Sequence, residues 1–514
     1  MVACSPSKLS TIEPSMRTPK HGRATQGGPG GAVSLRRARC RSDGPRLAQP
    51  FTTCRGTTPS MERIGASRSL WGAVKREIFD AKTRLLMRGD RQAFETMVEN
   101  ERLSVREFEA LSATAAARMA LHAYDSSPFY LDLYSGAGFS REDVAEPRNF
   151  ERLPIVTKAA LREAGDSVLS TAIPSKRALV SQTGGSTGAP LRVRNDAAAP
   201  TAPMWWRIYR WWDVHPGDDM AFIYRRLRQG REALKYAAQW WPSRHIHLDA
   251  RAITDEAIED FTNRWSRVRP RLLVAYVEGA TAVATHLAKS GRTLPTTAVS
   301  VTAAMLQPGQ RALLESVFCA PVYDTYRSAE IPWIAAECPQ HEGLHVAGDQ
   351  RMVEIVDDAG RRVEPDVEGS VVVTDFSNEV YPLVRYEMGD RSRLLNGACG
   401  CGRVFPRLAP VQGRLADVIR TPSGRRITGG LSGLFLGDPE AIRQMQIVQA
   451  SDYSIVIRYV ATRKGEATDA AARAARALTA LVGENVDVTT IEVSRIESQA
   501  GKARLVVSEA PDPH

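Results

Sequence analysis

A glycine- and hydroxyl-rich segment is the clearest candidate for chemistry in this sequence. Residues 181–190 read Ser-Gln-Thr-Gly-Gly-Ser-Thr-Gly-Ala-Pro, with three glycines and four hydroxyl side chains. Glycine has no Cβ, so successive backbone N–H groups can approach phosphate oxygens, and the hydroxyls add further donors. The segment lacks the Gly-Lys-Ser/Thr of a Walker loop and the glycine spacing of a dinucleotide-binding fingerprint. It predicts either a phosphate-binding loop of another kind or a flexible surface turn.

A group of cysteines and histidines suggests a second chemistry. Cys338, His341 and His345 are close in the sequence, and Cys399 and Cys401 follow with one glycine between them. Three thiolates and one imidazole suit tetrahedral Zn²⁺, and the glycine permits the tight turn. We expect His345, in a Gly-Leu-His segment, to be the fourth ligand rather than His341. Because protein atoms would fill all four positions, the expected role is structural; reduced cysteines that fill core space are the alternative.

Strands and helices alternate in the centre of the chain and must position these residues. Ala178–Ser181 reads as a strand that runs into the glycine-rich segment. Apolar strands at Met220–Tyr224, Leu272–Tyr276 and Ala298–Thr302 alternate with helical stretches, which predicts an α/β domain with parallel strands. Shorter strands separated by turn residues follow after about residue 345 and indicate an antiparallel region.

The final segment of the chain changes character again. Its strands accompany one long Ala- and Arg-rich helix, Ala467–Val482, which indicates a small α+β domain. We therefore expect three parts: a tail over residues 1–60, a large domain over 61–412 and a small C-terminal domain over 413–514.

The net charge of +10 is concentrated in the tail. Residues 1–60 hold ten Lys and Arg residues against only Glu13 and Asp43, so the body gives no electrostatic support for nucleic-acid binding. The tail is rich in Gly, Pro and Ser and lacks hydrophobic periodicity, so we expect it to be disordered. An over-long gene start, with Met61 as the initiator, or an organelle transit peptide would also explain it. It lacks the apolar stretch of a secretory signal.

The amino-acid composition indicates which class of protein this chain belongs to. With 43% hydrophobic and 25% charged residues the chain is typical of globular proteins, and no apolar run approaches the roughly 20 residues that cross a bilayer. Seven cysteines, three of them in the tail, are too few for a disulfide framework in 514 residues. We therefore expect no membrane span and a cytoplasmic location.

Several motifs together indicate a family. The glycine-rich segment resembles the loop of phenylacetate–CoA ligase-like proteins, a branch of the adenylate-forming superfamily that includes members from capsular-polysaccharide gene clusters. The similarity runs from about Ser127 to Ser508 in consistent order. Six further segments resemble landmarks of that family: Ser127–Tyr130, Leu153–Lys158, Tyr323–Glu330, Tyr381–Asp390, Gly413–Ile419 and Gly501–Arg504. The resemblance implies a large α/β adenylation domain of several subdomains and a small, mobile α+β C-terminal domain.

The same resemblance implies an activity and its residues. The reaction would be ATP-dependent activation of a carboxylic acid to an acyl-adenylate, followed by transfer to CoA. Lys502 and Glu330 are the implied catalytic residues, Lys502 as a cation at the carboxylate and α-phosphate and Glu330 as the Mg²⁺ ligand. The implied nucleotide-binding residues are Ser181, Thr183, Gly184, Gly185, Ser186, Thr187, Gly188, Tyr326 against adenine, Asp390 at the ribose hydroxyls and Arg414 near the hinge. On residue type alone, each of three residues also has a structural interpretation. Lys502 could be an exposed surface lysine, Tyr326 an aromatic residue of the core, and Asp390 a residue that forms a turn.

Two residues depart from the family pattern. Arg327 stands where the family usually has glycine, and Ala304 stands where it often has glutamate. We expect Tyr276 and Arg327 to line the substrate pocket, where a large cation would reshape the pocket or pair with an acidic substrate. Two alternatives to CoA transfer therefore stay open: transfer to an amine, hydroxyl or carrier-protein thiol, and a nucleotide-binding protein that has lost catalysis.

A tryptophan cluster and the partners complete the expectations. Trp205, Trp206, Trp211 and Trp212 predict core packing or, alternatively, the lining of an aromatic or lipid-like acyl pocket. The expected partners are a small-molecule carboxylate, CoA or another acyl acceptor, and a second copy of the chain in a homodimer.

Overall fold

The computed structural model describes residues 61–182, 191–224, 230–250, 252–414, 419–423, 426–427, 441–462, 464–496 and 505–511. These residues belong to one compact unit. The tail of residues 1–60, with the expectations attached to it, lies outside the described residues.

The described strands, in chain order, are β1 (Ala178–Gln182), β2 (Arg192–Asp196), β3 (Met220–Tyr224), β4 (His245–Asp249), β5 (Leu272–Tyr276), β6 (Ala298–Thr302), β7 (Val322–Tyr326), β8 (Ala335–Glu337), β9 (Leu344–Val346), β10 (Arg351–Val356), β11 (Gly369–Asp375), β12 (Tyr386–Ser392), β13 (Leu394–Leu395), β14 (Arg407–Leu408), β15 (Gln412–Arg414), β16 (Ile419–Arg420), β17 (Arg426–Ile427), β18 (Ile442–Gln449), β19 (Ile455–Ala461), β20 (Val488–Glu492) and β21 (Val506–Ser508).

The described helices are α1 (Met61–Leu86), α2 (Arg88–Asn100), α3 (Val105–Ser126), α4 (Pro128–Gly136), α5 (Arg141–Ala145), α6 (Lys158–Ala164), α7 (Thr201–Trp211), α8 (Gly230–Trp240), α9 (Asp255–Val268), α10 (Val277–Lys289), α11 (Pro308–Phe318) and α12 (Lys464–Val482). Short 3-10 helices lie at Pro147–Arg152, Gly165–Val168 and Ser175–Arg177. None of these helices combines the length and apolarity that a membrane-spanning segment needs.

The largest sheet joins a parallel half to an antiparallel half. Its described strands run in the order β13-β14-β9-β8-β7-β6-β5-β3-β4. Strands β3 to β7 are parallel to one another, and the direction changes where β7 meets β8. The parallel strands predicted from the alternating pattern are confirmed. The chain between β7 and β8, residues 327–334, therefore lies where the two halves join.

Helices cover both faces of the parallel half, because its strands are apolar on both sides. In β5, Leu273 packs with α9, α10 and α11 in one core, whereas Leu272 and Val274 pack with α2 and α7 in another. Consecutive strand residues point to opposite faces, so one short apolar run serves both cores. Trp211 and Trp212 are buried in the second core, and Trp206 is buried edge-on against Phe79. The expected core packing is therefore confirmed for these three tryptophans.

A four-stranded antiparallel sheet, β10-β11-β12-β15, forms the predicted antiparallel region. Its apolar side packs with α3 and α4 in a third core. Strand β12 begins only at Tyr386, because Arg385 has φ +47° and cannot continue an extended strand.

The C-terminal segment forms a separate sheet, β20-β19-β18-β21, with α12 packed on it. The predicted helix and strands are present with bounds shifted by a few residues. This segment contacts the parallel half through hydrogen bonds: Gln444 Nε2 donates to Glu278 Oε2 at 2.6 Å, and Gln307 Nε2 donates to the Met445 carbonyl oxygen at 3.4 Å. The mixed α/β architecture expected from the sequence is thus confirmed, whereas the domain bounds stay predictions.

Candidate active site

The stems of the glycine-rich loop form a two-stranded hairpin of their own. β1 and β2 pair antiparallel from Ala178 opposite Asp196 to Gln182 opposite Arg192. The Ser181 hydroxyl and the Asn195 amide both donate to the carbonyl oxygen of Ala329, each at 3.4 Å. Both stems of the loop therefore adjoin the residue before Glu330. The loop residues Thr183, Gly184, Gly185, Ser186, Thr187 and Gly188 lie outside the described residues.

Glu330 is a buried carboxylate that faces a lysine. It is 7% exposed, and its Oε1 lies 3.5 Å from Lys158 Nζ. Lys158 is the first residue of α6, whose N-cap Thr157 accepts a hydrogen bond from the Ala160 N–H. The helix start therefore fixes Lys158 beside Glu330. Sequence reasoning assigned Lys158 no role, because the two residues are 172 positions apart.

Tyr326 and Asp390 form a second polar pair close to Glu330. The Tyr326 hydroxyl donates to Asp390 Oδ2 at 2.6 Å. Asp390 lies in β12, where its backbone pairs with that of Arg414 in β15, so the predicted nucleotide residues from two strands are neighbours. Burial, followed by the charges of Glu330, Tyr381 and Asp390, raises the pKa of Tyr386. The arrangement brings Glu330, Tyr326, Asp390 and the backbone of Arg414 together.

Arg385 ties this region to the segment that carries Lys158. Its Nη2 lies 2.9 Å from Glu354 Oε1, and its Nη1 donates to the Glu151 carbonyl at 2.6 Å. Both side chains of the ion pair are almost fully buried. Next to it, Val156 forms an isolated parallel bridge with Tyr386. Arg385 thus holds the segment before α6 against the start of β12, a role that its motif did not reveal.

Arg327 and Tyr276 lie in an aromatic pocket on the other side of β7. The Arg327 guanidinium lies over the Trp333 ring, 4.3 Å from its centroid, and its Nη2 donates to the Tyr224 hydroxyl. Tyr224 in turn packs edge-on against Tyr276, with ring centroids 4.8 Å apart. Tyr224, Tyr276 and Tyr326 are the last residues of β3, β5 and β7. Ligands of parallel sheets bind at this carboxyl edge.

Two expected contributors remain outside these contacts. Lys502 lies outside the described residues, and so do residues 415–418, which follow the predicted hinge residue Arg414. The roles given to Lys502 and to the Arg414 side chain therefore stay predictions.

The cysteine and histidine group assembles as predicted. The ligand atoms of Cys338, His345, Cys399 and Cys401 all lie within 4.8 Å of one another. The sulfurs of Cys338 and Cys399 are 3.7 Å apart, close to the spacing of about 3.8 Å that two thiolates bound to one tetrahedral Zn²⁺ would have. His345 Nε2 lies 3.2 Å from the Cys401 sulfur, and its Nδ1 lies 3.2 Å from the Phe405 carbonyl. Metal-bound histidines commonly make such a second contact, so the residues fit a metal ion.

His345 and His341 differ in their burial and in their contacts. Burial lowers the pKa of His345 to about 4, so the imidazole is neutral, as a metal ligand must be. His341 instead stacks on Tyr323, with ring centroids 5.1 Å apart, and contacts the Glu337 carboxylate. His345, rather than His341, therefore lies with the three cysteines, and its role as the fourth ligand stays a prediction. The group joins β9, the turn after β8 and the loop between β13 and β14.

Known proteins resemble this chain in sequence and fold. Phenylacetate-coenzyme A ligase of Thermus thermophilus is 25% identical over 372 residues, which cover 68% of this chain and 80% of that relative. The protein of the same name from Aromatoleum evansii is 24% identical over 334 residues, covering 62% and 73%. No family model matches the sequence. Among solved structures, 2-hydroxyisobutyryl-CoA ligase in the postadenylation state, in complex with 2-HIB-AMP, has a TM-score of 0.65 at 20% identity over 80% of this chain and 91% of that one.

The chain has the fold of an adenylate-forming ligase. An open conformation of 2-hydroxyisobutyryl-CoA ligase, in complex with 2-HIB-AMP and CoA, matches with a TM-score of 0.58. The resemblance drawn from the motifs is thus confirmed.

Within this ligase fold, two groups of predicted residues separate. Ser181, Glu330, Tyr326 and Asp390 gather around the β7–β8 connection, whereas Arg327 lies on the opposite side with Tyr276. The structure adds four residues that the sequence did not single out: Lys158, Tyr224, Trp333 and Arg385. Each of them makes its contact through the tertiary fold, and the only signal for Lys158 and Arg385 was their position inside resembling motifs.

Proposed function

We propose that the protein is an ATP-dependent ligase that converts a carboxylic acid to an acyl-adenylate and then transfers the acyl group to CoA. One observation carries the proposal: the loop stems, the Glu330–Lys158 pair and the Tyr326–Asp390 pair converge in the fold of an adenylate-forming ligase. Support also comes from sequence relatives that are named phenylacetate-coenzyme A ligase and from the ligase solved with 2-HIB-AMP and CoA.

In the proposed adenylation, the carboxylate attacks the α-phosphorus of ATP, and pyrophosphate leaves. Charge develops on phosphate oxygens, so the protein contributes mainly positioning and electrostatic stabilisation. The loop of Thr183–Gly188 would donate backbone N–H groups and hydroxyls to the departing phosphates. Lys502, in the proposed small domain of residues 413–514, would bring its ammonium to the carboxylate and α-phosphate when that domain docks on residues 61–412.

Glu330 is the residue that would hold Mg²⁺. The ion takes one or two carboxylates together with phosphate oxygens, and when bound it would neutralise charge on those oxygens. A single buried carboxylate beside the loop stems fits this requirement. Lys158, 3.5 Å from Glu330, would keep that carboxylate in place and add a positive charge near the phosphates.

The nucleoside would lie against Tyr326 and Asp390. Asp390 would accept hydrogen bonds from the ribose hydroxyls, and the Tyr326 hydroxyl already orients its carboxylate. The Tyr326 ring would pack against adenine, with Arg414 opposite Asp390 in the neighbouring strand.

ATP–pyrophosphate exchange over a panel of carboxylates tests the adenylation step. We expect exchange with at least one acid, and we expect Lys502→Ala to lower its rate by about 100-fold or more, because it removes a cation from the developing charge. Lys289→Ala, at an exposed lysine near the end of α10, is the matched control and should leave the rate unchanged. No exchange with any acid would contradict the proposal and favour a nucleotide-binding protein that has lost catalysis.

The acceptor is tested separately. Addition of CoA to an acid that supports exchange should yield a thioester that mass spectrometry detects. Exchange without a thioester would keep adenylation and point to an amine, hydroxyl or carrier-protein thiol as the acceptor.

Three further expectations belong to this proposal. Cys338, His345, Cys399 and Cys401 would hold a structural Zn²⁺ that stiffens the antiparallel half of the large sheet and takes no part in the reaction. The cytoplasmic location and the homodimer stay predictions from the sequence.

A further inference from the structure

Arg327, which is half-buried, differs in its partners from the fully buried arginines of the described residues. Arg207, Arg351 and Arg385 are buried, and each lies 2.5 to 2.9 Å from a carboxylate oxygen. Arg327 has no carboxylate at ion-pair distance among the described residues; its contacts there are the Trp333 ring and the ring and hydroxyl of Tyr224. Guanidinium carries five N–H donors, so most of them remain for a ligand.

One aromatic residue that surrounds Arg327 has an unfavourable backbone conformation. Trp333, 5% exposed, has φ +57°, a left-handed conformation that bulky side chains rarely adopt. Residues in such conformations gather at ligand sites, where the surrounding structure maintains them. Here the conformation presents the indole face to the guanidinium, 4.3 Å from its centroid. A cation held between ring faces is oriented without being neutralised.

The position of Arg327 assigns it to the acyl side of the site. Its chain neighbour Tyr326 turns towards Asp390, the proposed nucleotide side, whereas Arg327 turns towards Tyr224 and Trp333. Through Tyr224 it adjoins Tyr276, so the pocket is formed by the carboxyl ends of β3, β5 and β7. An anion bound by Arg327 would therefore be part of the acid rather than a phosphate of ATP.

We propose that Arg327 binds a second anionic group of the substrate, so that the enzyme activates acids that carry a second carboxylate. The second carboxylate accepts hydrogen bonds from the guanidinium while the first reacts with ATP. This inference rests on the proposed adenylation.

The test is ATP–pyrophosphate exchange with matched acids, in the absence of CoA so that CoA phosphates cannot contribute. The pairs are butanoate with butanedioate, hexanoate with hexanedioate, and phenylacetate with 4-carboxyphenylacetate. The full chain is assayed as wild type, Arg327→Met, Arg327→Lys and the control Arg267→Met, at an exposed arginine of α9.

We expect the wild type to favour the diacid of at least one pair by about 10- to 100-fold in kcat/KM, the range of a hydrogen bond between charged groups. Arg327→Met should lower kcat/KM for the diacid by about 10- to 100-fold more than for the matched monoacid, and so abolish that preference, without raising the KM for ATP. Arg327→Lys should retain part of the preference, since lysine keeps the charge but not the planar donors. Arg267→Met should behave as the wild type.

Two results overturn the inference alone: a wild-type preference for the monoacid in every pair, or an equal loss for both members of a pair in Arg327→Met. A raised KM for ATP in Arg327→Met with acid preference unchanged would assign Arg327 to nucleotide phosphates and also overturn it. If Arg327→Met does not fold, the inference is tested by two other measurements: the diacid preference of the wild type and the reduced diacid preference expected of Arg327→Lys. Exchange with no acid overturns the proposed adenylation and this inference with it.

Discussion

Two tyrosines near the proposed nucleotide site offer a matched pair of perturbations. Tyr326→Phe and Tyr386→Phe each remove one hydroxyl and keep the ring. The Tyr326 hydroxyl donates to Asp390 Oδ2 at 2.6 Å, whereas the buried Tyr386 hydroxyl has no hydrogen-bond partner among the described residues. The two changes are chemically identical, so any difference between them reports on the hydrogen bond to Asp390.

The expected magnitude follows from that bond. A distance of 2.6 Å is typical of an O–H donor to a carboxylate, and such bonds contribute about 1.5–3 kcal/mol. Both side chains are partly exposed, so we take the lower end, about 1.5 kcal/mol, which is roughly tenfold in affinity. Without the hydroxyl, nucleotide binding must also order the Asp390 carboxylate. We therefore expect Tyr326→Phe to raise the KM for ATP about tenfold.

Tyr386→Phe should have a different outcome. It removes a desolvated hydroxyl that makes no described bond, which is neutral or stabilising by up to about 1–3 kcal/mol. The KM for ATP should stay within about twofold of the wild type, since no contact to Asp390 is lost.

The assay combines steady-state exchange kinetics with calorimetric binding of AMP, and urea unfolding monitors stability. An equal rise in the KM for ATP in both variants would refute the reasoning. So would a larger rise in Tyr386→Phe, because Asp390 would then not be oriented by Tyr326.

Three further predictions concern the fold around the site. Arg385→Met should lower the free energy of unfolding by about 3–5 kcal/mol, because it leaves the buried Glu354 carboxylate without its partner. Urea unfolding should show a smaller loss in the double variant Arg385→Met/Glu354→Met. Equal losses in the single and the double variant would contradict the ion pair. Cys399→Ser should lower both the zinc content measured by atomic absorption and the unfolding temperature, while ATP–pyrophosphate exchange persists at low temperature. The control Cys319→Ser should retain the metal. Wild-type protein that contains no zinc would contradict the site. Burial raises the pKa of Asp324 from 3.8 to about 7, so the native state keeps a proton that the unfolded state releases, and stability should fall as pH rises from about 4 to 7; Asp324→Asn should flatten that slope, and an unchanged slope would refute the assignment.

The sequence predicted the parts of this protein that depend on local pattern or on rare residue types. The parallel strands followed from short apolar runs such as Leu272–Tyr276, which must be buried on both faces. The grouping of three cysteines with His345 followed from chemistry, because few residue types bind zinc and the chain has few cysteines outside the tail.

Contacts between distant residues could not be predicted in the same way. Lys158 and Glu330 meet through the tertiary fold, in which Val156 pairs with Tyr386 and Arg385 binds the Glu151 carbonyl. The aromatic setting of Arg327 depends on the left-handed backbone of Trp333, for which the residue type gives no hint. The sequence therefore identified Arg327 as unusual without revealing what surrounds it.

The Ala329 carbonyl oxygen has a consequence for redesign of this protein. It accepts hydrogen bonds from both stems of the glycine-rich loop. It also belongs to the short connection of residues 327–333, which carries Arg327 and Trp333 of the aromatic pocket as well as Glu330. A change that reshapes the pocket by moving this short connection also moves the anchor of the loop. Changes in this connection should therefore alter both the preference for acids and the turnover rate. Laboratory evolution towards new acids should succeed more readily through substitutions at the ends of β3 and β5 than through substitutions in residues 327–333.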